Sequence, residues 1–238
     1  MEPQLKQNNL AIPLAIVIAG ALIAAAVYFG NAGAGGASAL QPQGAEQFTG
    51  DLEQMQPITA GDHIRGNPDA PVKIVEYSDT ECPFCKAFHA TLQEASEEYR
   101  DDVAWVYRHF PLDQLHTKAR KEAVALECAA ELGGNDAFWK YADRWFELTP
   151  SNDQTNIETV LPQIAKEIGL DESKFATCLD SKKFDAHIED NVQNATATGG
   201  NGTPWSIVIA PSGKKYPLSG AQPYESVKQL IDLALKDK

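Results

Sequence analysis

The longest apolar stretch of the chain is residues 10–30, which contain no charged side chain. At a helical rise of about 1.5 Å per residue, a stretch of this length can cross a hydrocarbon core of about 30 Å. The amino terminus and Lys6 precede the stretch, and the next cationic side chain is Arg65. This asymmetry predicts one transmembrane signal-anchor helix, with residues 1–9 in the cytoplasm and the rest outside. The alternative is a signal peptide cleaved after a small-residue motif that ends at Ala39.

Beyond this stretch, residues 31–60 show no hydrophobic periodicity, are rich in glycine, alanine and glutamine, and contain two prolines. This composition predicts a flexible linker. Residues 61–238 are numerous enough to bury a core of their own, and we expect one domain there. Because the linker contains no separate dimerisation domain, we expect the protein to be a monomer.

An apolar strand followed by an amphipathic helix opens this domain. Residues 72–77 are mostly apolar and rich in β-branched side chains, which indicates a buried strand. Farther along, apolar side chains recur at steps of four and three, as on one face of a helix: Phe84, Phe88, Leu92, Ala95 and Tyr99. Two cysteines, Cys82 and Cys85, lie at the junction, so the first one is expected at the start of the helix.

The remaining pattern is mainly helical. It predicts a strand, a series of helices, a hairpin and a closing helix: strand 103–110; helices 115–132, 137–148, 157–168, 171–179 and 182–197; strands 205–209 and 215–218; and helix 227–235. Gly133-Gly134 separates the first two of these helices, and Pro162 interrupts the third. Strands at both ends and helices between them indicate an α/β domain with an α-helical insertion at about residues 113–198.

The composition is acidic, with 20 Lys and Arg against 33 Asp and Glu and a net charge of −13. No basic stripe or basic patch interleaved with aromatic residues is present, so the sequence argues against nucleic-acid binding. An acidic surface favours solubility and identifies no partner.

Cys82-Pro83-Phe84-Cys85 has the C-x-x-C spacing of redox pairs and of zinc half-sites. At a helix start, unpaired N–H groups and the helix dipole favour the thiolate, which is the reactive form of cysteine. The spacings that usually complete a zinc site are missing, and His89 lies one turn farther along the helix. The context therefore predicts thiol–disulfide exchange, with no metal and no cofactor.

A second motif, Gly202-Thr203-Pro204-Trp205, runs into an apolar strand. A plain turn that opens an edge strand would also explain it. Here it resembles the Thr-cis-Pro loop that faces the C-x-x-C motif in thioredoxin-fold proteins. Four segments in this order resemble the DsbA-like thiol–disulfide oxidoreductases: residues 76–85, 108–112, 202–204 and 220–224. The resemblance covers about residues 61–238 and implies a thioredoxin-like fold with an inserted helical domain.

The resemblance also implies roles for single residues. Cys82 would form the mixed disulfide with a substrate, and Cys85 would resolve it. Thr203 and Pro204 would hold an extended substrate segment beside the sulfurs. Glu76 matches the buried acid beneath the C-x-x-C motif and would carry a proton to or from Cys85. A solvent-facing position beside Lys73 is the alternative for this glutamate.

Phe84 departs from the family pattern, because the strongly oxidising members carry histidine there. Phenylalanine offers no charge or hydrogen bond to the thiolate, so the protein should be less oxidising than those members. Phe84 and Trp205 would present apolar surface to substrates, although packing in the core is an alternative for Trp205.

Many DsbA-like proteins carry a cysteine pair in the helical insertion, as this chain does with Cys128 and Cys178. The resemblance and an oxidising compartment together imply a structural disulfide. Two buried free thiols are the alternative.

These expectations describe an extracytoplasmic enzyme that forms disulfide bonds in cysteine-containing exported proteins, with a membrane redox partner. Two alternatives remain. One is a reductase or isomerase of the same fold, and the other is a non-catalytic thioredoxin-like binding module or a metal chaperone that uses Cys82 and Cys85.

Overall fold

The structure of the protein is a computed structural model that describes residues 50–238. The predicted transmembrane helix at residues 10–30 and most of the predicted linker lie outside the described residues. Within residues 50–238, no helix is long and apolar enough to cross a membrane.

A five-stranded sheet with the order β1-β3-β2-β4-β5 forms the centre of the domain. The strands are β1 (His63–Gly66), β2 (Val72–Ser78), β3 (Val103–His109), β4 (Trp205–Ile209) and β5 (Lys215–Ser219). β2 and β3 are parallel, and the outer pairings are antiparallel. β2 and β3 are buried on both faces, which explains why apolar side chains in these strands do not simply alternate with polar ones.

Six helices accompany this sheet in the described part of the chain: α1 (Pro83–Tyr99), α2 (Ala119–Leu148), α3 (Ile157–Glu167), α4 (Glu172–Leu179), α5 (Asp185–Ala197) and α6 (Tyr224–Lys236). The described residues also form two short 3₁₀ turns, Leu52–Gln54 and Arg100–Asp102. Helices α2 to α5 form the inserted helical part between β3 and β4. This order of elements confirms the predicted thioredoxin-like α/β fold with an inserted helical part.

Gly134 bends α2, because its φ of 74° and ψ of −171° are not helical. The predicted break between two helices at Gly133-Gly134 is therefore present as a kink inside one long element. The first half of α2 begins at Ala119 rather than at residue 115. The reason is that the Asp79 and Asp153 side chains accept hydrogen bonds from N–H groups of the preceding segment. Helix α3 tolerates Pro162 and begins at Ile157.

The core lies on both faces of the sheet. A large cluster joins the sheet to α1, α2 and α6, and its largest fully buried members include Trp105, Trp145 and Phe88. A smaller cluster on the other face contains Tyr77, Val106, Trp205 and Ile207, with parts of α5 packed against it. The sheet is thus rigidly held at the point where β2 leads into α1.

Cys128 in α2 and Cys178 in α4 are joined by a disulfide, with their Cα atoms 5.8 Å apart. Both residues are buried. The bond closes a sequence separation of 50 residues and links two helices of the insertion, away from the C-x-x-C motif in sequence.

Candidate active site

The C-x-x-C motif begins at the N-terminus of α1, directly after the loop that leaves β2. Cys82 is the N-cap residue, with φ −77° and ψ 122°, and Pro83 occupies the first helical turn. The Cys82 N–H donates to the Asp79 carbonyl at 3.2 Å, which closes the tight loop before the helix. Pro83 is accommodated because the first N–H groups of a helix have no partner within the helix.

The Cys82 thiol is the reactive one of the pair. When protonated, its Sγ donates to the Thr203 carbonyl at 3.4 Å. The pKa of Cys82 is lowered to about 6, most strongly by the hydrogen bond from Cys85. Burial opposes this change, while Thr203 and the N–H groups of Cys85 and Phe84 lower the pKa further. A thiol in this state is largely ionised at neutral pH and is a good nucleophile and leaving group.

Cys85 has the opposite character. It is fully buried, and the Asp79 N–H donates to its Sγ at 3.4 Å. Burial raises the pKa of Cys85 well above the ordinary value, and the charges of Cys82 and Glu76 raise it further. The pair therefore divides into an ionised first thiol and a protonated second thiol, as a mixed-disulfide mechanism requires.

Glu76 lies in β2 beneath the two cysteines. Its side chain is fully buried, and Trp105 Nε1 donates to its Oε2 at 2.9 Å. Burial raises the pKa of Glu76 to about 7, the charge of Cys82 raises it as well, and hydrogen bonds from Ser78 and Trp105 oppose this. The alternative of a solvent-facing glutamate beside Lys73 does not hold, because β2 buries both of its faces and Lys73 Nζ donates to the Ala70 carbonyl.

The Thr203–Pro204 peptide bond is cis and faces the motif. Pro204 is buried at the start of β4, and its carbonyl accepts the Gly220 N–H at 2.9 Å. This bond ties the loop to the segment at residues 220–224 that also carried the family resemblance. The Thr203 carbonyl contacts the Cys82 thiol, so a substrate chain bound along this loop would lie beside the reactive sulfur.

The two aromatic candidates occupy different positions. Phe84 is 64% exposed at the first turn of α1, where a substrate can reach it. Trp205 is only 3% exposed, and its Nε1 donates to Thr198 Oγ1 at 3.0 Å. Of the two alternatives for Trp205, the structure supports packing in the smaller core cluster, because β4 directs the side chain inward.

Sequence reasoning missed a set of polar groups around the motif. Asp79, Glu81, His116 and Glu122 are all buried. Burial raises the pKa of Glu122 to about 10, and the neighbouring Glu81 carboxyl group raises it further. Asp79 accepts a hydrogen bond from His116 Nδ1 at 2.9 Å. The acidic run Asp79-Thr80-Glu81 before the first cysteine was the available signal, but its partners lie about 40 residues away in the sequence.

His89 is the third residue considered for a metal site. Its Nε2 bonds to Asp143 Oδ1 at 2.8 Å, and the ring packs against Trp105 and Phe146. Among residues 50–238, no group of three or more His, Cys, Asp or Glu side chains is arranged to hold a metal ion. The geometry assigns His89 to packing on the inner side of α1.

A thioredoxin sheet, a C-x-x-C motif at a helix start and a facing cis-proline loop define a protein thiol–disulfide oxidoreductase. The thioredoxin family model matches residues 59–233, and the chain belongs to this family as a DsbA-like member.

Solved structures of DsbA proteins are similar to this chain. DsbA2 of Pseudomonas aeruginosa is 29% identical with a TM-score of 0.66, over 76% of this chain and 98% of that protein. Oxidised BdbD of Bacillus subtilis is 25% identical with a TM-score of 0.65, over 76% of this chain and 97% of that protein. α-DsbA1 of Wolbachia pipientis, at 23% identity and a TM-score of 0.64, shows the same fold.

Curated relatives by sequence are longer proteins. The Na⁺/H⁺ antiporter NhaA 1 of Mycolicibacterium gilvum is 32% identical over 69% of this chain but only 26% of its own length. The antiporter NhaA 3 of Salinispora tropica is 34% identical over 67% of this chain and 23% of its own length. The chain spans about a quarter of these relatives, so their name describes much larger proteins, and nothing on ion transport follows for this one.

Proposed function

We propose that this protein is a membrane-anchored, extracytoplasmic oxidase that forms disulfide bonds in cysteine-containing exported proteins. The observation that carries the proposal is the difference between the two cysteines: Cys82 is ionised beside the cis-proline loop, and Cys85 is buried and protonated. A first thiolate stabilised in the reduced state makes the corresponding disulfide a better oxidant.

The reaction begins from the Cys82–Cys85 disulfide. A substrate thiolate attacks Cys82 Sγ, the bond between the two protein sulfurs breaks, and Cys85 leaves as a thiolate. Glu76, with its pKa near 7, supplies the proton that Cys85 takes up. A second substrate thiolate then attacks the substrate sulfur of the mixed disulfide and releases the Cys82 thiolate. The substrate loses two electrons and gains a disulfide, and the protein gains the two electrons as a dithiol.

Turnover requires re-oxidation of this dithiol by a second disulfide. We assign that step to a membrane-bound redox partner, since the predicted anchor at residues 10–30 would keep the domain at the membrane surface. The exposed Phe84 side chain offers apolar contact to unfolded substrate chains, and the Thr203 carbonyl lies beside the sulfur that they would attack.

The test is oxidation of a reduced, unfolded protein by the full chain. Cys82→Ser should abolish turnover, and Cys85→Ser should accumulate mixed disulfides that are visible on non-reducing gels. The matched control is the double variant Cys128→Ala/Cys178→Ala, which should retain turnover. Full activity of the Cys82 variant would disprove the proposal.

The direction of electron flow is tested separately, by equilibrating the Cys82–Cys85 pair with glutathione. An oxidase requires a pair that is more oxidising than the glutathione pool, whereas a reductase requires the reverse. A metal chaperone predicts stoichiometric metal in the purified full chain.

A further inference from the structure

The segment between β3 and α2 lies against the loop that carries Cys82. Two of its groups donate to the same carboxylate oxygen, Asp79 Oδ2: the Leu112 N–H at 2.7 Å and His116 Nδ1 at 2.9 Å. The Asp79 side chain is fully buried, and the His116 side chain is only 8% exposed. A buried carboxylate thus fixes an imidazole ring at the edge of the active site.

Asp79 also contacts both cysteines through its main chain. Its N–H donates to Cys85 Sγ at 3.4 Å, and its carbonyl accepts the Cys82 N–H at 3.2 Å. The His116 ring and the two sulfurs are therefore positioned by one residue. Because Asp79 fixes both the ring and the cysteines, protonation of His116 changes the charge near the sulfurs without requiring a movement of the loop.

A second carboxylate holds the segment on its other side. Asp153 accepts hydrogen bonds from the Thr117 N–H at 2.9 Å and the Lys118 N–H at 3.2 Å. In turn, the Asp153 N–H donates to Glu81 Oε2 at 2.7 Å, one residue before Cys82. Hydrogen bonds thus hold the segment that carries His116 from two sides, and the His116 ring itself is fixed by Asp79.

The charges around the ring are mostly negative. Burial lowers the pKa of His116, but its hydrogen bond to Asp79 and the charges of Asp79, Cys82 and Asp153 raise it above the ordinary value. Such coupling is reciprocal: if the Cys82 thiolate favours protonated His116, then protonated His116 favours the Cys82 thiolate by the same free energy. The titratable or charged groups facing this assembly from the neighbouring elements are Asp79, Glu81, Cys82, Lys118, Glu122 and Asp153.

We propose that His116 is a positioning residue for thiol–disulfide exchange, whose imidazolium, oriented by Asp79, stabilises the Cys82 thiolate. Phe84 provides neither a charge nor a hydrogen-bond donor at the position between the cysteines, and His116 supplies the positive charge from a distant part of the sequence. The inference rests on the exchange function proposed above.

The first test is His116→Asn in the full chain. Asparagine places a neutral donor near the position of Nδ1, so the bond to Asp79 is kept while the charge is lost. Thiolate absorbance should show the Cys82 pKa rising by about half to one unit, which corresponds to a roughly three- to tenfold change. The equilibrium with glutathione should shift toward the Cys82–Cys85 disulfide by a similar factor. His187→Asn is the matched control, because His187 also bonds to a carboxylate but belongs to the Glu127 cluster, and it should leave both values unchanged.

The second test does not alter His116. The chain has five histidines, and selective ¹³C labelling allows each ring to be titrated by NMR. The His116 pKa should be lower in Cys82→Ser than in the reduced wild-type protein, because the thiolate is lost. The His187 pKa should be the same in both proteins. Equal His116 titrations in both proteins, or an unchanged Cys82 titration in a folded His116→Asn variant, would overturn the inference. A wild-type Cys82–Cys85 pair that never exchanges with glutathione would instead refute the proposed function itself.

Discussion

Glu76 lies in the middle of β2 with its carboxyl group fully buried, so its ionisation affects the stability of the fold as well as the chemistry of the cysteines. Its folded-state pKa of about 7 exceeds the value of 4.5 expected for an unfolded chain. The folded state therefore holds this proton more tightly than the unfolded state does. As the pH rises from 4.5 to 7, the unfolded chain loses its proton first, and stability falls by about 3 kcal/mol.

Glu76→Gln removes this ionisation, so we predict that the variant gains stability relative to wild type when the pH is raised from 4 to 8. The gain should approach about 3 kcal/mol, as measured by chemical denaturation at both values. Exchange should become roughly tenfold slower, because the proton donor to Cys85 is lost. Exposed Glu225 provides the control, since Glu225→Gln should change neither quantity. A pH-independent difference in stability would contradict the buried ionisation.

Phe84 is the residue at which this chain departs from strongly oxidising relatives. We predict that Phe84→His lowers the pKa of Cys82 by about one unit, because an imidazolium next to the thiolate stabilises it. The reduction potential should rise by about 30 mV for a tenfold change in the equilibrium with glutathione. Thiolate absorbance and redox equilibration measure the two effects.

Phe84→Leu keeps an apolar side chain and should change neither value. The side chain is 64% exposed, so both substitutions fit without repacking the core. If Phe84→His changes neither value, the side chain at position 84 does not control the pKa of Cys82. The Asp79–His116 pair then becomes the main determinant of that pKa.

At the level of elements, the disulfide between α2 and α4 should contribute to stability without taking part in exchange. Closing a loop of this length stabilises the fold by about 4 kcal/mol in the chain-entropy model. We predict that Cys128→Ala/Cys178→Ala lowers the melting temperature by roughly 10 °C and leaves the exchange rate unchanged, as measured by calorimetry and a turnover assay. Loss of exchange at an unchanged melting temperature would make the pair a redox relay.

The main elements could be predicted because their signals are local. The apolar run of β2, the three- and four-residue spacing in α1 and the break at Gly134 depend on neighbouring residues alone. β1 could not be predicted, because its four residues show no alternation and are held by pairing with β3. The periodicity predicts too early a start for α2, because Asp79 and Asp153 hold the preceding residues in a turn.

The same distinction applies to the site. Cys82, Cys85 and the Thr203-Pro204 loop belong to short motifs, so the sequence locates them. His116 meets Asp79 only after folding, across 37 residues, and no spacing rule connects them. Trp205 shows the reverse case, since a motif position suggested contact with substrate and the register of β4 turned the side chain inward.

For the whole molecule, the described domain carries the residues proposed for the chemistry, and the predicted anchor would provide the proposed location. The site residues named above all lie within residues 50–238, so the chemistry and the location can be tested separately. An enzyme that acts on exported proteins has to be held outside the cytoplasm, where disulfides persist. The proposed location is therefore tested on the anchor alone, with the domain unchanged.

We predict that the full chain, produced in a bacterial host, remains with membranes after extraction with high salt and alkaline carbonate and is released by detergent. In Val17→Arg/Ile23→Arg, two charges enter the centre of the stretch, each costing about 2.5–3.5 kcal/mol on insertion, so this variant should leave the membrane fraction. Val17→Leu/Ile23→Leu is the matched control and should remain in the membrane fraction.

Protease added to spheroplasts should degrade the wild-type domain, because the domain is expected outside the cytoplasm. Recovery of a soluble, exported protein that begins after Ala39 would favour a cleaved signal peptide, and a protease-resistant domain with reduced Cys128 and Cys178 would place the protein in the cytoplasm.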